Sequence, residues 1–525
     1  MSQATYIQDM MADPAPDNSG LQEVASFYAN RNVLVTGGVG FLGSLLIEKI
    51  LRSCPDVKTL FVLLRAKKGK SPEERLRLLF EDTMFDRLRK EQPGYSRKVV
   101  LIVGDIAQVG LGLSKEHREL LRTTHIVIHA AATVRFDESL RVAVNINVRG
   151  TNELLSLAQE MENLKAFVHV STAYSNCVQE VVEEKFYPTP IDGDKLLKLL
   201  DILDDASLEH LVPVLLGKWP NTYAYTKVIA EHSVRRSCHT LPVCMVRPSI
   251  VIATAKEPVP GWINNVYGAT GIVLAVAVGL LHTLHCDPEL VADMIPADYV
   301  VNTIIVAAWD IAKTRCINVD NEVNVMVPET EEVPIYNSVS SCQKPITWGQ
   351  FMKHTSKLGL EIPSLVTVWI RFLRLNKYSW LHNIYVVFCH LLPAIIVDSL
   401  ARLTGRKPVL WDAYKRIHKF STVIRYFTLR QWRFSNNSVL RLWDKLSSAD
   451  QSVFDFNVAG LNWEDYTYSH VRGIRVYLVK DPLDTLPAAA AKYTRIKIAH
   501  YTLLTAICGI LLWLIWSLLR VIGLW

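Results

Sequence analysis

Tyr223 and Lys227 stand four residues apart in "NTYAYTK". On a helix that spacing puts both side chains on one face. An ammonium beside a phenol lowers the phenol's pKa from its ordinary value of about 10, so Tyr223 is expected to give or take a proton at working pH. Tyr225, two residues from Lys227, points elsewhere on such a helix. Upstream, "AFVHVSTAYSN" (Ala166–Asn176) reads as a strand ending in hydroxyls. Ser171 or Thr172 is expected to supply a hydroxyl that holds a substrate oxygen beside Tyr223; the alternative is that both hydroxyls simply end a strand. Hydroxyl, phenol and ammonium together suit proton-coupled reduction of a carbonyl, provided a hydride donor lies alongside.

A donor needs a cradle, and "NVLVTGGVGFLG" (Asn32–Gly43) has the form of one. A strand-like run stops at Gly37, and glycines recur at Gly40 and Gly43 before a helical pattern begins. Gly37 makes the tight turn, Gly40 lets the backbone approach a pyrophosphate, and Gly43 lets helix pack on strand. The helix N-terminus, with Phe41 and Leu42, then faces the anion. An NAD site wants a carboxylate at the end of the second strand. Here "LFVLLRAKKGK" places Arg65 there, then Lys67, Lys68 and Lys70. Cations suit a 2′-phosphate, so NADPH is the expected cofactor; the alternative for the lysines is a solvated basic loop.

The elements that must position these groups alternate. Strand-like runs cover Asn32–Thr36, Thr59–Leu64, Val99–Val103, His125–His129, Ala166–Val170 and Val243–Arg247, with helix-period stretches such as Glu138–Met161 between them. That alternation predicts an α/β fold with a Rossmann-like doubly wound parallel sheet. In "SPEER", Ser71 is a candidate N-cap with Pro72 at the first helical position and Glu74 reaching back. Some fifty residues separate Thr172 from Tyr223. Within them Leu196–Leu203 is amphipathic, either a cover for an apolar chain or a surface decoration.

The glycine pattern resembles that of extended short-chain dehydrogenase/reductases. In such folds Asp105 of "GDI", with Ile106, meets the adenine. The small Ala130 and Ala131 of "HAAAT" let the cofactor lie close, unless they are plain core packing. Longer strings resemble the fatty acyl-CoA reductase, or male-sterility, family: "LLRAKKGKSPEERL", "HVSTAYSN", "PNTYAYTKVIAE", "VRPSIV", "PGWINNVYG", "IPADYVVN" and "PITWG". The resemblance covers roughly residues 30 to 480. It implies reduction of a long-chain acyl-CoA to a primary alcohol with two NADPH, with Thr172, Tyr223 and Lys227 as catalytic residues. It also implies a substrate pocket that includes Trp262 and Asn265.

The expected layout is a disordered tail over 1–29, an NADP-binding reductase domain over 30–335, an α-helical domain over 336–487 and a transmembrane anchor over 498–520. "YNSVSSCQKPITWGQF" from Tyr336 reads as a turn-rich junction between the second and third of these. Tyr501–Leu519 is uncharged and long enough to span a bilayer. Lys492, Arg495 and Lys497 precede it and Arg520 follows, which places its N-terminal side, and the catalytic part, in the cytosol, with Trp525 in the lumen. The endoplasmic reticulum is the expected organelle and the peroxisome the alternative. Two further uncharged stretches, Pro258–Cys286 and Tyr378–Val397, read as buried or interfacial helices. The N-terminus has no signal-peptide pattern. A net charge of +6 without a basic, aromatic-interleaved run argues against nucleic acid. Nine scattered Cys fit a reducing compartment, and fifteen scattered His suggest no metal site. The rival readings are a membrane-bound sterol or steroid dehydrogenase, which would need neither Arg65 nor the helical domain, and a non-catalytic NADPH-binding tether, which would not need to keep Tyr223 and Lys227.

Overall fold

The computed structural model describes residues 22–314 and 333–521. Seven strands form one parallel sheet: β1 Asn32–Thr36, β2 Thr59–Leu64, β3 Val99–Val103, β4 Ile126–His129, β5 Ala166–Val170, β6 Val243–Pro248 and β7 Ile335–Ser338. Their order is β7-β6-β5-β4-β1-β2-β3. Chain order reverses between β1 and β4, and in such sheets a crevice opens there beyond the strands' C-terminal ends. Val33 and Val35 face one apolar cluster and Leu34 the other, the period-2 alternation of a strand buried on both faces.

Six helices carry the argument below. They are α1 (Phe41–Ser53), α2 (Thr222–Arg236), α3 (Ala297–Thr314), α4 (Ser379–Leu403), α5 (Leu410–Thr428) and α6 (Leu486–Val521). Helix α3 is buried along most of its length against the sheet. Phe454, Tyr466 and Ile474, far along the chain, belong to the same apolar cluster as Val33 and α3, and the Tyr466 hydroxyl donates to Ala253 O at 2.8 Å. The C-terminal helical part therefore shares its core with the sheet. All eight cysteines among the described residues are free thiols.

The structure departs from the sequence expectations in several places. Residues 1–21 of the expected tail lie outside the described residues, but Glu23–Tyr28 is a helix. Val24 and Tyr28 are buried, and the Asp450 carboxylate accepts from the N–H groups of Glu23 and Val24. The stretch Tyr336–Ser338, read as a turn, is edge strand, because Ile335 and Tyr336 are buried and pair with Met245 and Val246. The helix expected over Glu138–Met161 runs without a break from Leu140 to Ala158, with a widened turn at Asn145–Arg149. Within the widened turn Asn147 exchanges hydrogen bonds with the backbone of Thr133 and donates to Thr226 Oγ1 at 2.9 Å, tying the loop after β4 to α2. Ser71 caps its helix by accepting from Glu74 N–H, with Pro72 in the first turn.

Candidate active site

Helix α2 carries Tyr223, Lys227 and Glu231 at four-residue spacing, so all three share the face turned to the sheet's C-terminal edge. Asn221 caps the helix through Ala224 N–H at 2.9 Å. Lys227 is buried, and its ammonium donates to Val170 O at 2.8 Å. Burial pushes its pKa down to about 8, against the opposing pull of Glu231. Burial pushes the Tyr223 pKa up to about 12 and Glu231 adds to the rise, against the opposing pull of the neighbouring Thr172 side chain. The expected lowering by Lys227 is therefore corrected: the ammonium is committed to Val170 O, and desolvation dominates the phenol.

The two hydroxyls at the end of β5 separate clearly. Ser171 Oγ donates to Glu231 Oε1 at 2.5 Å. Glu231 in turn holds a fully buried Arg247 in a forked pair at 3.0 and 2.6 Å. Ser171 is thus committed to a buried polar network. Thr172 Oγ1 accepts from Tyr174 N–H at 3.2 Å and faces Tyr223. Neither Glu231 nor Arg247 was singled out from the sequence. The four-residue step beyond Lys227 is the signal that would have found Glu231.

At the other half of the crevice, Gly37 has φ +74°, a left-handed conformation that favours glycine, and an added Cβ would lie 2.8–2.9 Å from the backbone of Ala130 and Ala131. A Cβ at Gly43 would meet Gly37 O at 2.1 Å, so the start of α1 touches the turn directly. Gly40 is the N-cap and no side chain caps it. Phe41 and Leu42 follow in the first turn, half-buried. Ala131 N–H donates to Thr36 Oγ1 at 3.3 Å, bringing the end of β4 against the end of β1. The backbone is thus shaped to admit a pyrophosphate at the N-terminus of α1.

Arg65 closes β2, and its guanidinium pairs with Asp105 Oδ2 at 2.9 Å. Arg75 donates to Arg65 O at 2.7 Å. Lys67 and Lys70 exchange backbone hydrogen bonds at 3.1 Å, which turns the basic loop back on itself. Desolvation, then the charges of Arg65, Arg75 and Lys68, hold the Lys67 pKa below its ordinary value. Several cations thus gather here, with Asp105 opposite Arg65. Ile106 packs where Gly150 approaches it, with 2.6 Å from an added Cβ to Ile106 O.

Trp262 and Asn265, expected in the substrate pocket, have the following surroundings. Trp262 is buried in the core, stacked on Phe41 at 5.7 Å, with its indole N–H donating to Asp82 at 3.1 Å. It braces the start of α1. Asn265 accepts from Tyr267 N–H at 3.1 Å, a local turn ahead of the helix Gly268–Ala277.

The wall around Tyr223 is aromatic and comes from distant segments. Phe136 stacks on Tyr223 at 5.7 Å, and Phe427 of α5 packs on Phe136 at 5.3 Å. Tyr174 meets Phe427, Trp432 and Phe434 edge-on at 5.3–5.6 Å. None of these was expected from sequence, since no periodicity links them. The amphipathic Leu196–Leu203 lies elsewhere. Leu196 and Leu200 pack with Tyr225, Val228 and Ile229, on the side of α2 away from Tyr223. It braces α2 from behind.

A family model described as "Male sterility protein" matches residues 35–304, and a second of the same description matches 389–481. Related chains include the fatty acyl-CoA reductase wat of Drosophila melanogaster, 37% identical over 495 residues, 94% of this chain and 93% of that one. Fatty acyl-CoA reductase 1 of Xenopus laevis is 38% identical and that of Homo sapiens 37%, each over 491 residues, 93% of this chain and 92% of the other. Among solved structures, the terminal R domain from the myxalamid PKS-NRPS biosynthetic pathway superposes with a TM-score of 0.53 at 18% identity, over 86% of this chain and 93% of that one, a likeness of fold alone.

Proposed function

The chain belongs to the male-sterility family of fatty acyl-CoA reductases, and from that premise we propose that it reduces a long-chain acyl-CoA through the aldehyde to the primary alcohol, releasing CoA and consuming two NADPH. The observation that carries the reading is the Thr172–Tyr223 hydroxyl pair, with Lys227 one turn further on, set in an aromatic wall beside a glycine turn. Bound NADPH supplies the hydride for each reduction. Thr172 and Tyr223 hold the carbonyl oxygen from two sides. Tyr223, protonated at neutral pH, gives that oxygen its proton as negative charge develops. Lys227, charged below about pH 8, holds the cofactor ribose. Gly37, Gly40 and Gly43, with the first-turn backbone of Phe41 and Leu42, receive the pyrophosphate.

Arg65 and Lys67 receive the 2′-phosphate, which favours NADPH over NADH. Asp105 and Ile106 border the adenine, and Ala130 and Ala131 let the cofactor lie flat. Residues 30–335 act as the reductase unit and 336–487 as its helical cover, with β7 straddling the boundary. We assign α6 as a single membrane anchor with the body cytosolic, in the endoplasmic reticulum or, failing that, the peroxisome. The end of the chain, Trp525, lies outside the described residues. Incubating membranes that hold the protein with NADPH and a panel of acyl-CoAs, and reading products by mass, tests the whole. Alcohol and free CoA are expected, and no product from any acyl-CoA would overturn it.

A further inference from the structure

Helix α4 is long and apolar enough to cross a membrane, as is α6. The two differ in what holds them. Helix α4 has two faces along its full length. Its inner face is His382, His390, Ala394 and Asp398, all buried. His382 Nδ1 meets Thr283 Oγ1 at 3.1 Å near one end. His390 Nε2 accepts from His282 N–H at 3.0 Å in the middle, and its ring stacks on Tyr414 at 4.7 Å. Asp398 accepts from the N–H groups of Val409, Leu410 and Trp411 at 2.8–3.1 Å near the other end, capping α5. The sixteen residue steps from His382 to Asp398 cover roughly 24 Å at about 1.5 Å each. Over that distance α4 is pinned by polar contacts to the body that carries the active site. A helix so pinned cannot cross a hydrocarbon core of about 30 Å without taking His282, Thr283 and the start of α5 with it.

The outer face is apolar and open. Trp380, Ile384, Phe388, Ile395, Ile396 and Leu403 are exposed, Phe388 by 65% and Leu403 by 83%. Its occupant is indicated by where α4 begins. Residues 365–371 lie along the last turns of α6 before its uncharged run. Lys492 donates to Leu365 O at 2.6 Å, the Arg371 guanidinium sits 4.2 Å over the Tyr493 ring, and Trp369 meets His500 edge-on at 5.5 Å. The chain then pairs Arg374–Asn376 with Thr283–His285 and enters α4 at Ser379. The segment that leads into α4 is therefore anchored at the base of α6. Arg402, Arg406 and Lys407 close its far end and suit anionic headgroups.

We propose that α4 is an in-plane membrane-docking helix, its outer face sunk into the headgroup–acyl boundary of the bilayer that α6 crosses. This rests on the reading of α6 as an anchor. Docking also reaches the chemistry: α5, capped by Asp398 of α4, carries near its end Phe427, which packs on Phe136, which in turn stacks on Tyr223, and its Lys419 pairs with Asp137 at 2.8 Å. Seating α4 on lipid thus holds α5, which packs along the inner face of α4 through Tyr414 and His418, and with it the aromatic wall of the site, just behind the membrane surface.

The test is depth-resolved labelling of the full chain in phosphatidylcholine–phosphatidylserine vesicles. One vesicle set carries a phospholipid with a diazirine close to the headgroup, the other with a diazirine at the acyl-chain end. Labelled peptides are mapped by mass. The shallow probe is expected to label residues 380–403 as well as α6, and the deep probe α6 alone. Deep labelling of 384–396 equal to that of α6 makes α4 a span and overturns the proposal. Shallow labelling of α6 with none of 380–403 also overturns it, as would α4-to-α4 crosslinks in place of lipid adducts, which would make the face a contact between copies. Labelling of 380–403 with none of α6 would support α4 docking and remove the anchor instead. The double substitution Phe388→Asp with Ile395→Asp, both at exposed positions, should cut shallow labelling of 380–403 by about fivefold or more, leaving α6 labelling and in-detergent turnover unchanged.

Discussion

The two halves of the crevice are built in different ways. The phosphate-binding part of the nucleotide half comes from one short piece of chain: β1, the turn at Gly37, α1 and the end of β2 lie within Asn32–Arg65. The substrate half draws Phe136, Thr172, Tyr223 and Phe427 from segments almost three hundred residues apart. A contiguous half holds its shape through backbone fit, which a single Cβ can spoil. A dispersed half holds its shape through packing, and can lose one aromatic while keeping its chemistry. Substitutions on the two sides should therefore separate cofactor binding from turnover.

The largest separation is expected at Tyr223→Phe. The ring stays on Phe136 while the proton is lost, so alcohol formation should fall by roughly 10²–10⁴, the usual worth of a positioned acid. NADPH binding, followed by fluorescence titration, should hold. Near-normal turnover in this variant would remove Tyr223 from the chemistry.

Next comes pH. Lys227 is charged below about 8 in the cofactor-free protein, because burial lowers its pKa from 10.5. If the charged form is the active one, kcat/KM is level below that value and falls about tenfold per unit above it. Folding stability moves the other way. Between pH 8 and 10.5 the unfolded chain binds a proton that the folded chain does not. Cofactor-free stability should therefore rise with pH across that window, by at most about 3 kcal/mol. A profile flat to pH 10 in both measurements would mean Lys227 keeps its proton.

On the nucleotide side, Arg65→Glu should weaken NADPH use by more than about tenfold, from the loss of a charge-assisted contact, and leave NADH use little changed. Equal NADPH and NADH efficiencies in the unaltered protein would place the 2′-phosphate elsewhere. Phe427→Ala sharpens the comparison from the packing side. It should raise the acyl-CoA KM by about threefold to tenfold with NADPH affinity constant, since it trims a wall and not a reacting atom. Tyr225→Phe, on the opposite face of α2, should change neither; a large effect there would shift the chemistry to the wrong side of the helix.

Much of this was legible in residues close together in the chain. Strand periods placed β1, β2, β3 and β5 at their observed ends, because a strand buried on both faces must read as a short apolar run. Gly37 and Gly43 could be read because the turn and the helix that need them follow immediately. Tyr223 and Lys227 could be paired because a four-residue step is one helical face. Tertiary structure alone decided that Glu231, itself paired with Arg247, takes Ser171, while Thr172 lies beside Tyr223. It decided that Trp262 braces α1, that Leu196–Leu203 backs the catalytic helix, and that burial rather than Lys227 governs the Tyr223 phenol. It also parted the two uncharged stretches. Gly268–Ala277 turns Ile272, Val273 and Val276 into the core, whereas α4 keeps Phe388, Ile395 and Ile396 outside. Local pattern reports which conformation a segment can adopt. Which groups fill its faces is set by segments hundreds of residues away, and composition carries no record of them.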